Sequence, residues 1–166
     1  MAIEYHFEVS PVLDAPAMLD YLAELLGCEE RFEEPGAPAR AGRKEVVLTA
    51  AEWGRDEESD MADLFGTDRI TSLTFRMNKF LTSEESHTIF HDMIAACVQF
   101  FEDHPGAKGL FSFQYEDIYL QRLADDGIVL SERLREPDFN TGDRFSDVLS
   151  RYSSRALGMV EDHLSR

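Results

Sequence analysis

Cations are scarce in this chain. Sixteen Lys and Arg stand against thirty-three Asp and Glu in 166 residues, a formal net charge of −17. Phosphate contacts need a Lys/Arg surface, so the shortage excludes nucleic acid and anionic membrane as partners. Cysteine is scarcer still. Cys28 and Cys97 lie far apart with no CxxC spacing, which excludes a disulfide framework and a Cys-based zinc site. They read as two buried thiols in a reducing compartment. Long apolar runs are missing, so no segment spans a bilayer. The opening Met1-Ala-Ile-Glu-Tyr-His-Phe-Glu carries acids where a signal peptide is basic and then apolar, and the expectation is a cytoplasmic protein.

What is present is a folding sequence. Hydrophobic residues make up 43% and there are twelve Phe, ample for the core of a single domain over residues 1–166. The acidity therefore does not mean disorder, which pairs high charge with few aromatics. Charge this far from zero opposes compaction by self-repulsion, and a basic partner is a physical reason to carry it.

Ile3, Tyr5, Phe7 and Val9 alternate with polar residues, the period of a strand with one wet face. Asp14 offers an N-cap, Met18, Leu19, Leu22, Leu25 and Leu26 recur at helical spacing, and Gly27 follows as a C′ residue. Residues 29–44 lack an apolar period and hold Pro and Gly, so they are expected to form a mobile loop. Val46–Leu48 reads as a short strand, Ser59–Leu64 as one helical turn with Met61, Leu64 and Phe65 inward, and Ile70–Lys79 as a strand. Thr82-Ser-Glu-Glu85 has the form of a capping box, opening a helix with Phe90, Met93, Ile94, Cys97, Phe100 and Phe101 on one stripe. Strands follow around Phe111–Tyr115, Ile118–Leu120 and Ile128–Leu130, with Asp125-Asp126-Gly127 as a hairpin turn. Helical spacing from Phe145 to Val160 predicts a C-terminal helix over 142–164. The order β-α-β-(α)-β-α-β-β-β-α predicts an α+β fold. It would be a two-layer domain whose mostly antiparallel sheet has five to six strands, with two or three long helices on one face.

Chemical motifs are few. His87 and His91 are spaced i, i+4 on the capped helix, a spacing that lets two imidazoles share a metal. The segment is His-Thr-Ile-Phe-His, however, without the Glu of a zinc-protease helix, and histidines at the edge of an apolar stripe are the plainer reading. No Gly-x-Ser-x-Gly, GxGxxG or GxxxxGK[ST] occurs. Neither Cys sits beside a His, and no cofactor and no catalytic residue is expected. The expectation is a protein that is not an enzyme.

One segment stands apart. Residues 52–68 hold seven acids, Glu52, Asp56, Glu57, Glu58, Asp60, Asp63 and Asp68, against Arg55 alone. Charge runs are often simply solvated faces. Here the chain's single Trp, Trp53, stands at the start of the run. Trp is favoured at interface hot spots, and carboxylates around such an anchor steer a basic partner. Trp53, Asp56, Glu57, Glu58, Asp60 and Asp63 are the expected partner-binding residues. Calcium is a poorer reading of these acids, since the EF-hand order is absent.

Phe65-Gly66-Thr67 leads into Thr71-Ser-Leu-Thr-Phe-Arg-Met-Asn-Lys-Phe80, then a capped helix, then paired strands ending Gly127-Ile-Val-Leu-Ser131. Together with the opening strand and helix, this run resembles the Sit-type immunity proteins of bacterial polymorphic lipoprotein toxin systems. The resemblance covers residues 1–132 and leaves aside the insert at 29–44 and the C-terminal helix. It implies a toxin–antitoxin role, in which the chain binds and neutralises a cognate toxin without chemistry. Many such toxins are basic nucleases, which an acidic inhibitor meets by charge complementarity. The alternative is an acidic secretion chaperone for an effector protein, and a third reading is a metal-dependent hydrolase using His87 and His91.

Overall fold

A computed structural model describes residues 2–57, 59–123 and 127–164. Its centre is a nine-stranded sheet. In chain order the elements are β1 (Ile3–Val9), α1 (Ala15–Leu26), β2 (Glu30–Phe32), β3 (Arg40–Arg43), β4 (Val46–Gly54), α2 (Ser59–Phe65), β5 (Arg69–Met77) and α3 (Ser83–Asp103). There follow β6 (Gly109–Phe113), β7 (Asp117–Arg122), β8 (Val129–Ser131), α4 (Ser146–Arg151), β9 (Ser153–Arg155) and α5 (Val160–Leu164). The spatial order is β2-β3-β4-β5-β1-β6-β7-β8-β9, antiparallel throughout except for the parallel β8–β9 pair.

Local chemistry explains the two long helices. The Asp14 carboxylate accepts from Ala17 N at 2.9 Å, and Gly27 closes α1 in the left-handed region at φ 67°. In α3 the capping box is complete, Thr82 and Glu85 each bonding the other's backbone N–H. Both helices lay their apolar stripes on one face of the sheet. Phe90, Met93, Ile94, Phe100 and Phe101 meet Phe7, Leu48, Leu73, Phe75 and Phe111 there, and Cys97 is fully buried among them. At Gly109 the chains of β6 and β1 approach so closely that a Cβ would lie 2.7 Å from the Glu8 carbonyl oxygen, so only glycine fits.

The α+β class and the mostly antiparallel sheet agree with the sequence reading; the element counts do not. Residues 29–44, expected as a loop, carry β2 and β3, which extend the sheet beyond β4. Their apolar signal is faint because the edge strand holds charged Glu30 and Arg31, as exposed edges commonly do, and the buried positions are the small Ala41 and Gly42. The expected helix over 142–164 is also replaced. Helix runs only from Ser146 to Arg151, after which Ser153–Arg155 pairs with β8 and a short α5 follows. Ser153 and Ser154 are poor helix formers, and Gly158 sits at φ 71°, so the apolar period there outlives the helix. The Asp125 and Asp126 of the expected hairpin turn lie outside the described residues.

Helices also cover part of the second face. There Met61, Ala62 and Phe65 of α2 pack with Ile70, Leu110, Ile118, Leu123, Val129, Leu157 and Val160 into a second core. This face carries the polar alternates His6, Glu8, Ser72, Ser112 and Gln121, all buried. Among the described residues, no helix is long and apolar enough to cross a membrane.

Candidate functional site: the ends of the β4–β5 ribbon

Strands β4 and β5 pair along their full nine-residue length, from Val46 opposite Met77 to Gly54 opposite Arg69. Successive side chains alternate between faces. Val46, Leu48 and Ala50 therefore enter the main core, while Val47, Thr49 and Ala51 stay half-buried on the other face, where Trp53 follows with 41% of its surface exposed. On β5 the same face shows half-buried Thr74 and exposed Arg76.

The acidic segment closes the Trp53 end of this ribbon. The Gly54 N–H donates to Glu57 Oε2 at 2.8 Å, and the Glu57 N–H donates to the Gly54 carbonyl at 3.1 Å, forming a tight turn. The Arg55 guanidinium reaches across to the Asp63 carboxylate and donates to the Thr67 carbonyl at 2.8 Å. Its backbone N–H donates to the Asp68 carbonyl at 2.9 Å. Helix α2 is thereby tied to the strand end, with Met61, Ala62 and Phe65 sunk in the second core.

Of the residues singled out from sequence, Trp53, Asp56, Glu57, Asp60 and Asp63 are all exposed along this one end. Asp63 and Glu57 hold the loop's shape, whereas Asp56 and Asp60 are displayed to solvent. Glu58 lies outside the described residues. Leu64, expected inward, is half-buried beside the second core. The geometry offers an anionic strand end beside an exposed indole, with no nucleophile–base arrangement among its described residues.

The two histidines of α3 take separate partners. His87 Nε2–H donates to the Asp138 carbonyl at 3.1 Å, and His91 Nδ1–H donates to Asp92 at 3.1 Å with its ring against Phe145. No group of three metal-ligating side chains occurs among the described residues.

Other features of this face had no evident sequence signal. His6 is buried, with Nδ1 3.2 Å from Thr74 Oγ1 and its ring stacked on Tyr115 at 3.6 Å. Burial pushes the imidazole pKa down to about 4. Tyr115, half-exposed, sits in a tight turn in which Gln114 and Tyr115 both take left-handed φ, at 51° and 60°. Such a turn favours Asn-Gly, so Gln-Tyr here does not announce itself in the sequence.

A SitI3-like family model matches residues 3–139. The chain belongs to the SitI3-like family. The matched span includes 29–44, so β2 and β3 lie within its bounds. It ends before α4, β9 and α5, which nonetheless complete the sheet and the second core of this SitI3-like protein. No curated protein and no solved structure matches the chain.

Proposed function

We propose that this chain is an immunity protein that binds a cognate toxin in the cytoplasm and neutralises it by occupying its surface, without catalysis. Membership of the SitI3-like family supports a toxin partner in general terms. The observation that carries the finer reading is the rim at the Trp53 end. There, exposed Asp56 and Asp60 flank an exposed indole on a segment fastened by Arg55 and by the buried half of α2. Carboxylates fixed around an aromatic anchor steer a basic partner and then hold it, while the overall charge of −17 draws it from a distance. A toxin with a basic cleft fits this chemistry.

The test uses the product of the adjacent reading frame. Co-expression with this chain should restore growth that the product alone abolishes. Reversing Asp56 and Asp60 to Lys should lower the association rate at low salt by about tenfold and flatten its salt dependence, with an unchanged unfolding midpoint. Growth that is not restored by the wild-type chain overturns the immunity reading. Association kinetics indifferent to the two reversals remove the acidic rim from it.

A further inference from the structure

The scarce cations are not spread evenly. Of the sixteen, four (Arg43, Lys44, Arg76 and Lys79) line one cavity of about 420 Å³ at the end of the β4–β5 ribbon remote from Trp53. No acid is among its described lining residues. Two of the four are matched internally: Arg43 donates to Glu45 at 2.7 Å, and Lys44 pairs with Glu85. The other two are not. Arg76 stands opposite Glu4 in strand register, yet among the described residues neither Arg76 nor Lys79 has a carboxylate in ion-pair contact. The Lys79 ammonium instead lies 5.3 Å from the centre of the Phe80 ring.

Phe80 is 83% exposed, the most exposed large apolar side chain among the described residues. Its backbone is nonetheless pinned. Asn78 donates through its side chain to the Lys44 carbonyl at 3.0 Å and through its N–H to the Glu45 carbonyl at 2.9 Å. It also accepts from the Phe80 N–H at 2.9 Å. One asparagine thus clamps the exit of β5 to the β3–β4 hairpin and holds Lys79 and Phe80 out beside the cavity. An open cation pair with apolar walls from Val47 and Phe80, on a fixed backbone, matches a carboxylate carried next to an apolar side chain.

We propose that this cavity is a second contact for the partner met at the Trp53 end, and that it receives an acidic, partly apolar segment of that protein. The proposal rests on the immunity reading. The partner is then bipolar, with a basic surface over the acidic rim and a carboxylate roughly 20 Å away, the span of six strand residues from Trp53 to Val47. Net charge explains why both contacts belong to one partner. A chain of −17 repels a free acidic protein and a second copy of itself. A carboxylate on a protein already held at the basic-seeking end arrives instead at high effective concentration. A free inorganic anion would gain nothing from Phe80.

The probe is the purified product of the adjacent reading frame, immobilised, with this chain in solution. The double variant Arg76→Glu, Lys79→Glu should raise the dissociation rate at least tenfold while leaving association within about threefold. Phe80→Ala, at a position too exposed to matter for folding, should raise dissociation by about fivefold or more at an unchanged unfolding midpoint. Asp56→Lys with Asp60→Lys acts on association, so the two ends separate kinetically. Wild-type binding that both cavity variants reproduce overturns the second contact and leaves the immunity reading standing. A probe that does not bind the wild-type chain overturns both. Sedimentation of the free chain should show a monomer; a dimer abolished by Arg76→Glu, Lys79→Glu would assign the cavity to a second copy and overturn the proposal.

Discussion

The two ends of the β4–β5 ribbon are built in opposite ways. At the Trp53 end Asp60 and Asp63 ride on α2, whose inner side is core, Asp56 and Glu57 sit in the turn leading to it, and Arg55 draws the helix against the strand. At the Arg76 end the described lining comes from a hairpin, a strand exit and one bridging asparagine, and α3 touches it through the Glu85–Lys44 pair. The difference teaches where self-repulsion has to be offset. Crowded carboxylates push each other apart, so the segment that gathers them needs apolar burial to hold its shape. Two cations in an acidic molecule are under no such strain and can be presented on hydrogen bonds alone.

The contrast is broken most severely by emptying the seat of α2. Phe65→Ala should cost about 3–5 kcal/mol in a urea titration, since Phe65 is fully buried in the smaller of the two cores. Amide exchange should then accelerate over 56–68 and not over 76–80. Equal acceleration at both ends would show that they are not independently supported.

The ground between the ends answers to pH. His6 has a folded pKa of about 4, below its unfolded value near 6.5, so the unfolded chain binds the proton first. Stability is therefore full above about pH 6.5 and falls as pH drops toward 4, by no more than about 3 kcal/mol from this group. Glu4 and Glu8 flank His6 along the same strand face and Tyr115 covers it. His6→Asn should flatten the slope across that window; a slope that persists unchanged assigns it to the carboxylates instead.

A smaller effect sharpens the comparison. Arg55→Ala removes a pair whose partners are both about half exposed, together with the bond to the Thr67 carbonyl. The expected loss is about 1 kcal/mol. Exchange protection should fall at the N–H groups of Arg55 and Thr67, with β5 untouched. A loss of several kcal/mol would make Arg55, and not the buried face of α2, the main fastening of the acidic rim.

Much of this was readable from residue pattern, and the failures share a cause. Helices α1 and α3 announce themselves because cap and apolar stripe agree, Asp14 with Leu19 and Leu22, Thr82 and Glu85 with Phe90 and Met93. Strands β2, β3 and β9 do not, because what holds them is backbone pairing, local for β2 and β3 and to β8 for β9, while their side chains are charged, small or polar and show no apolar period. Phe145, Val148 and Leu149 continue a helical period that the backbone abandons at Tyr152. The acidic rim was legible as composition around a single Trp. The basic cavity was not, since Ala2, Arg43, Lys44, Arg76 and Lys79 come from three separate stretches that only the sheet brings together. The one trace was the Phe-Arg-x-x-Lys run at the end of β5, visible as a family likeness before its geometry gave it a place.

The second core joins residues 61–70 to Leu157 and Val160. A ribosome delivers those two sets of side chains almost a hundred positions apart, and the parallel β9 that leads into α5 can dock only after β8 is in place. The acidic rim therefore takes its final form late in synthesis. A message that ends before Leu157 yields a chain with its charge intact but no firm mount on which to display it.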